Sequence, residues 1–236
     1  MGSTDWDVLP HEQIEKLSEN VWRVEGTLPQ FGLKRVMTVA KRKDGSLVIH
    51  SAIALRDECM REIEAWGRPE IMLIPHVRHR MDAPRFKARY PALRVLVTPG
   101  AKRKADEVVL LAGLYEDFPN DEDVEVGMLR GTGSNEGFVK IRSADGVTLV
   151  LNEVVFDLSE PDSFAKKILM RVMRLGPGPR VTPIVKLELL DDRRALRRHL
   201  EELAQTPGLT RLIVSHDRLS RGQNAREGLL RAAETL

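Results

Sequence analysis

The stretch Ile71-Met72-Leu73-Ile74-Pro75-His76-Val77-Arg78-His79-Arg80-Met81-Asp82, IMLIPHVRHRMD, is an apolar run that breaks into polar chemistry. A short, continuous apolar run suits a strand buried on both faces. Pro75 follows it, then two histidines three residues apart, then an acid three residues further on. Imidazole and carboxylate just past a strand end are donors that a divalent metal accepts. Two arginines stand among them. A guanidinium stays protonated and cannot ligate, so it opposes a cation beside it.

The residues on either side repeat this alternation of strand and helix. NVWRVEGTL and RVMTVAKR read as strands, and DGSLVIHS follows the turn pair Asp44-Gly45, so Arg35 to Ser51 is predicted to be a hairpin. LRDECMREIEAWG puts Leu55, Cys59, Ile63 and Trp66 at helical spacing, with Gly67 as a stop. APRFKARYPAL reads as one or two helical turns ended by Pro91, and RVLVTPG as another buried strand. KADEVVLLAGLYEDFPNDEDVEVGMLRGTGSNEG, with its acidic stretch 116–125 and the Gly-rich turn after it, reads as a loop with one or two strands. GFVKIRSADGVTLVLNEVVFDL is a second hairpin, turning at SADG, and SFAKKILMRVMRLGPGP is a helix ended by Gly and Pro. DDRRALRRHLEELAQTPG is a helix with acids in its first turn, LTRLIVSH a strand, and NAREGLLRAAETL a closing helix. This order predicts a layered mixed α/β arrangement, with two sheets or one large mixed sheet. LGPGPRVTP, residues 175–183, is the best candidate for a joint and reads as a loop within one domain.

Composition narrows the function. The 236 residues are 42% hydrophobic and 31% charged, with 37 basic and 35 acidic residues and a net charge of +2. Nothing in that balance demands nucleic acid. The single Cys59 excludes an internal disulfide and any multi-cysteine metal site, and its helical neighbours make it a small core residue. No apolar run approaches the roughly 20 residues a membrane helix needs. MGSTDWDVLP has no basic start and no apolar run, so the expectation is a cytoplasmic protein. A lipid reading of Met1-Gly2 lacks a second anchor. GTGSNEG lacks phosphate-loop spacing, and no lysine-serine follows it.

Six histidines are present. His11 and His199 lie in polar surroundings and read as bystanders. His50, His76 and His216 each end an apolar run, SLVIH, IMLIPH and RLIVSH, while VTLVLNE ends in Asn152 and Glu153. Strand ends in α/β folds collect at one rim, where ligand sites form. Three imidazoles and a carboxylate there would satisfy zinc, iron or manganese. The plainer alternative is that each histidine is a polar cap on a buried strand.

This order of features resembles the metallo-β-lactamase superfamily over most of the chain, roughly from residue 20 to the end. KDGSLVIHS, IMLIPHVRHRMD, PALRVLVTPG, GTGSNEGFVKI, VTLVLNEVVF and RLIVSHDRL stand where that superfamily has its DG strand, HxHxDH strand, next strand, GH turn, GD hairpin and final GH strand. No single motif is intact, and the chain is more closely similar to a branch with eroded motifs, through His50-Ser51 and through Pro75-His76 with His79. The resemblance implies an αββα sandwich of two mixed sheets flanked by helices. It also implies a single domain over 1–236, with 1–18 a peripheral N-terminal segment.

Carried over position by position, His76 fits the first histidine of the first motif. Arg78, Arg80 and Met81 then fall on its second histidine, aspartate and last histidine. Ser134 falls on the histidine of the GH turn, Glu153 on the bridging acid and His216 on the final histidine. His50 stands where a structural aspartate is usual. The resemblance therefore implies metal ligands His76, Glu153 and His216, with His50 or His79 as a replacement, and either no cofactor or one divalent metal.

Arg78 and Arg80 are expected to bind a small anion if they enter the cleft, or to lie on a solvated face if they do not. The expected function is a degenerate site without dinuclear zinc hydrolysis, binding a small anionic molecule. The alternative is a mononuclear metal-dependent hydrolase of an ester, thioester or phosphoester. Nucleic-acid binding through Arg78, Arg80, Arg85, Lys87, Arg89 and Arg94 is a third reading, disfavoured by the charge balance and 5% aromatic content.

Overall fold

The computed structural model describes residues 4–29, 33–157, 178–216 and 218–236. The first half of the chain forms β1 (Glu15–Ser18), β2 (Val21–Leu28), β3 (Leu33–Lys41), β4 (Ser46–His50), α1 (Asp57–Trp66), β5 (Arg68–Ile74), α2 (Ala83–Arg89), β6 (Arg94–Val97), α3 (Lys102–Asp106) and β7 (Gly113–Leu114). Its strands make one seven-stranded sheet in sequence order. β1 to β4 pair antiparallel, and β3 and β4 form the expected hairpin at Asp44-Gly45. From β4 to β7 the pairing is parallel, because helical connections return the chain to the same end of the sheet.

The second half forms β8 (Val124–Met128), β9 (Gly137–Ser143), β10 (Gly146–Val150), α4 (Pro183–Glu188), α5 (Arg193–Ala204), β11 (Leu209–Ile213), β12 (Leu219–Arg221) and α6 (Gln223–Glu234). These strands make a five-stranded sheet in the order β12-β11-β10-β9-β8. Only β10 and β11 pair parallel in it. Both sheets are therefore mixed.

Alternation along each strand builds three apolar layers. Met72 and Ile74 of β5 join Leu47, Ile49, Cys59, Ile63 and Phe86 under α1 and α2. Ile71 and Leu73 point the other way, against Val139, Ile141, Val150 and Ile213 of the second sheet. Leu149 and Leu212 face a third cluster with Leu196, Leu200, Leu229 and Ala232 of α5 and α6. Helices, sheet, sheet and helices thus stack as the expected αββα sandwich. Residues 71–74 are at most 1% exposed, and burying each such side chain contributes roughly 1.5–3 kcal/mol.

Several details differ from the sequence reading. The region read as loop and strand contains α3 at its start, and β1, β12 and α4 were not anticipated. The helix expected in SFAKKILMRVMRL falls outside the described residues. The N-terminal segment is anchored: the Trp6 indole donates to the Leu55 carbonyl at 2.9 Å, and β1 pairs with β2. Among the described residues no helix is long and apolar enough to cross a membrane.

Candidate metal centre

Register sets the site. Val150 of β10 lies opposite Ile213 of β11 in a parallel pair, so Glu153 and His216, each three residues further on, leave the sheet together. In the other sheet, β5 ends at Ile74 and residues 76–79 form a turn closed by the His79 N–H on the His76 carbonyl, 2.9 Å. That turn brings His79 back to Glu153. His79 Nε2 lies 2.7 Å and His216 Nε2 3.0 Å from the same oxygen, Glu153 Oε1. Each of the three residues offers a ligand atom, all within 4.8 Å of one another.

The rings are held from behind. His216 Nδ1 donates to the Lys34 carbonyl at 2.7 Å, which fixes the tautomer and aims Nε2 at the carboxylate. Phe156 stacks on the same ring, with centroids 4.8 Å apart. His79 Nδ1 meets Ser51 Oγ at 2.6 Å. The other oxygen of Glu153 accepts from Arg78 Nη1 at 3.2 Å, and Arg78 Nη2 donates to Glu188 at the end of α4. Glu153 is 3% exposed and Arg78 lies at the surface.

Charge follows from these contacts. Burial alone would raise the Glu153 carboxyl, but hydrogen bonds from His216 and His79, with their charge, hold it well below the usual range. Burial likewise opposes the His216 imidazolium, and the Glu153 carboxylate outweighs it, so His216 titrates above its ordinary value. With Nδ1–H on a carbonyl, His216 must carry a second proton on Nε2, or a cation there, to sit 3.0 Å from a carboxylate oxygen.

The other expected residues take different places. His76 is buried, and its Nδ1 accepts the Arg78 backbone N–H at 3.3 Å, so the neutral ring carries its proton on Nε2. Burial is the main reason its pKa falls to about 4. His50 is 3% exposed, and neither ring nitrogen has a hydrogen-bond partner. Burial and the neighbouring His79 push its pKa down to about 3. The Arg80 guanidinium donates to the Val77 carbonyl within its own turn. Asp82 is 1% exposed and pairs with Arg35 at 2.6 Å and Arg85 at 2.5 Å, away from the histidines. Ser134 is exposed at the tip of its turn, with φ of 65°.

Sequence reasoning did not single out Glu136. It is fully buried; one carboxyl oxygen accepts the Val154 backbone N–H at 3.4 Å, and the other has no hydrogen-bond partner. Burial and the nearby Glu153 raise its pKa well above the ordinary value. A glutamate in a Gly-rich turn reads as solvated, so no sequence signal marked it. The adjacent Gly137 is required by space: a Cβ there would lie 2.1 Å from a ring carbon of the buried Tyr115.

The donor set fits one divalent ion. In a tetrahedral site with bonds of about 2 Å, ligand atoms stand roughly 3.3 Å apart, so the 2.7 and 3.0 Å contacts would open by about half an ångström, and the two imidazole nitrogens, within 4.8 Å of each other, would settle to that spacing. No other group of three or more such residues that could hold a metal occurs among the described residues.

No protein-family model and no curated protein matches the sequence. Solved structures do. The chain is similar to a metallo-β-lactamase from Pontibacter korlensis (TM-score 0.63, 13% identity, 96% of this chain and 100% of that one). It is also similar to one from Erythrobacter litoralis with β-mercaptoethanol in its active site (0.61, 15%, 98% and 100%). A third is the metallo-β-lactamase FIM-1 from Pseudomonas aeruginosa in its mono-zinc form (0.61, 12%, 98% and 98%). Identity this low carries architecture and leaves activity open. From its layers, its strand order and these neighbours, the chain has the metallo-β-lactamase fold.

Proposed function

We propose that this chain is a hydrolase with a reduced, single-metal centre in which His79, Glu153 and His216 hold one divalent ion, and that the dinuclear arrangement is lost. The observation that carries this reading is the convergence of two imidazoles and one buried carboxylate within 4.8 Å. An ion held there supplies Lewis acidity toward water and the carbonyl or phosphoryl oxygen of an ester, thioester or phosphoester. Lys34 and Ser51 orient the two rings. Arg78 holds the second oxygen of Glu153 and leaves the first to face the histidines. The Arg78 side chain, 47% exposed, also offers a guanidinium to a substrate carboxylate or phosphate in exchange for Glu188.

Metal analysis of protein purified without chelator, then loaded with zinc, iron or manganese, tests this. About one equivalent is expected in the native chain, and none in His79→Ala or His216→Ala. A native chain that takes up no metal from any of the three would sink the proposal.

A second reading is supported by Arg78. Both oxygens of Glu153 already have protein partners, and Glu153 and Glu188 balance Arg78 and a protonated His216 without an ion. The site would then bind a small anion through Arg78, while Arg80 stays on the Val77 carbonyl. Phosphate titrated into chelator-treated protein should bind, and Arg78→Ala should abolish binding. Nucleic-acid binding has less support, because Arg85, Lys87 and Arg89 are engaged by Asp82, by the carbonyls of Pro91 and Leu93, and by Asp57 and Glu64.

A further inference from the structure

Ser51 directly follows β4 with φ of 57°, in the left-handed region that non-glycine residues avoid. Such a residue costs about 1–3 kcal/mol and persists where its surroundings hold it. Here its N–H is tied to the Leu73 carbonyl at 3.1 Å, and its Oγ is delivered to His79 Nδ1 at 2.6 Å. On the far side of that ring, Nε2 meets Glu153 Oε1 at 2.7 Å. Hydroxyl, imidazole and buried carboxylate therefore stand in one hydrogen-bonded line. A hydroxyl can donate or accept, so the ring's tautomer decides its role. When Nε2 binds a metal, the proton sits on Nδ1 and Ser51 accepts. When Nε2–H donates to Glu153, the lone pair sits on Nδ1 and Ser51 donates to a base. The second state is the arrangement that activates a serine.

We propose that without metal the chain has a serine-nucleophile centre, Ser51–His79–Glu153, acting on small activated esters. It uses the residues of the metal reading in the other tautomer of His79. Ser51 Oγ bonds to the ester carbonyl carbon as its proton passes to His79 Nδ1. The bond to the leaving alcohol then breaks, and the alcohol departs with that proton. Water attacks the acyl-serine in the same way, releasing the acid and restoring the hydroxyl. Glu153 stabilises the imidazolium formed in each half. Ser51 is 4% exposed, which limits the centre to short acyl groups such as acetyl.

The test is p-nitrophenyl acetate on chelator-treated, full-length protein, followed by release of p-nitrophenolate and by mass analysis after acid quench. Acetyl is expected on Ser51. Ser51→Gly should abolish both signals while keeping the native circular dichroism, because glycine suits a positive φ. His79→Ala should slow release by about 100-fold or more. The centre is refuted by absent release, by equal release from Ser51→Gly, or by an unchanged rate in His79→Ala. Adding zinc separates the two proposals. Zinc that binds at His79 should protect Ser51 from acetylation. Acetylation that zinc leaves unaltered, with no zinc taken up, upholds the serine centre and removes the metal reading.

Discussion

His50 lies between the sheets, across from Thr38 of β3, and neither its ring nitrogens nor the Thr38 hydroxyl has a hydrogen-bond partner. Its pKa of about 3 in the folded chain lies below the usual 6.5. As pH falls, the unfolded chain takes up a proton that the folded chain refuses. The stability linked to a neutral His50 is therefore full above about 6.5 and is lost toward about 3, at about 1.4 kcal/mol per pH unit. His76 acts in the same direction and His216 in the opposite one. Urea unfolding of His50→Phe between pH 7 and 5 should show a shallower loss of stability than the native chain, and parallel curves would contradict this. Glu136 gives a second expectation. Glu136→Gln keeps an acceptor for the Val154 N–H, whereas Glu136→Leu removes it. Metal affinity should stay within about threefold in the first and fall about 10- to 100-fold in the second. At this scale the sequence was only partly legible. Glu153 and His216 could be read as strand-end residues because β10 and β11 run in register. The choice of His79 over His76 could not, because a turn beyond the strand end decides which imidazole returns to the rim.

α2 depends on contacts outside itself. It has seven residues and no side-chain cap, too short to hold itself in water. Phe86 anchors it in the core, and Asp82 at its start joins buried Arg35 of β3 to Arg85 of the helix. Asp82→Ala would leave the Arg35 guanidinium, with its side chain 8% exposed, without its carboxylate. The expected cost is about 3–5 kcal/mol, read as a lower urea midpoint. A loss under 1 kcal/mol would show that water replaces the pair. Elements with several turns or a turn dipeptide were legible in the sequence: α1, α5 and α6 by spacing, and the β3–β4 and β9–β10 hairpins by their DG turns. Five residues of α3 carry too little periodicity to register. α4 had a usable signal in Thr182-Pro183, an N-cap hydroxyl that accepts from Val185 followed by proline in the first turn, but the Gly/Pro cluster before it favoured a loop.

The whole molecule is clamped at the end of the sandwich away from the site. Arg211 of β11, with its side chain 5% exposed, grips both oxygens of Asp145 at 2.7 and 2.6 Å, and it also donates to Thr148. Asp145 accepts from Ser18 of β1, Asn20 reaches the Arg142 carbonyl, and Ala144 donates to Glu19. These bonds tie the first turn of one sheet to the β9–β10 turn of the other. The order of strands and helices leaves two sheets or one large mixed sheet open, and the resemblance to the metallo-β-lactamase superfamily is what implies two. The clamp was not legible, because it joins residues far apart in sequence through a pairing that exists only once the sheets stack. The Arg211 contact lowers the Asp145 carboxyl to about 2, so its contribution is present above the ordinary value of 3.8 and lost as pH falls toward 2. The Asp145 side chain is 52% exposed, and solvent screening reduces that contribution to about 1 kcal/mol. Asp145→Ala should therefore lower the urea midpoint at pH 7 by an amount worth about 1–2 kcal/mol, including the lost hydrogen bond from Ser18. β10 separates Asp145 from Glu153 along its whole length, so the same variant should take up as much metal as the native chain. Loss of metal uptake together with the lower midpoint would mean that the clamp sets the spacing of the sheets at the opposite rim, and that the site depends on the stack as a whole.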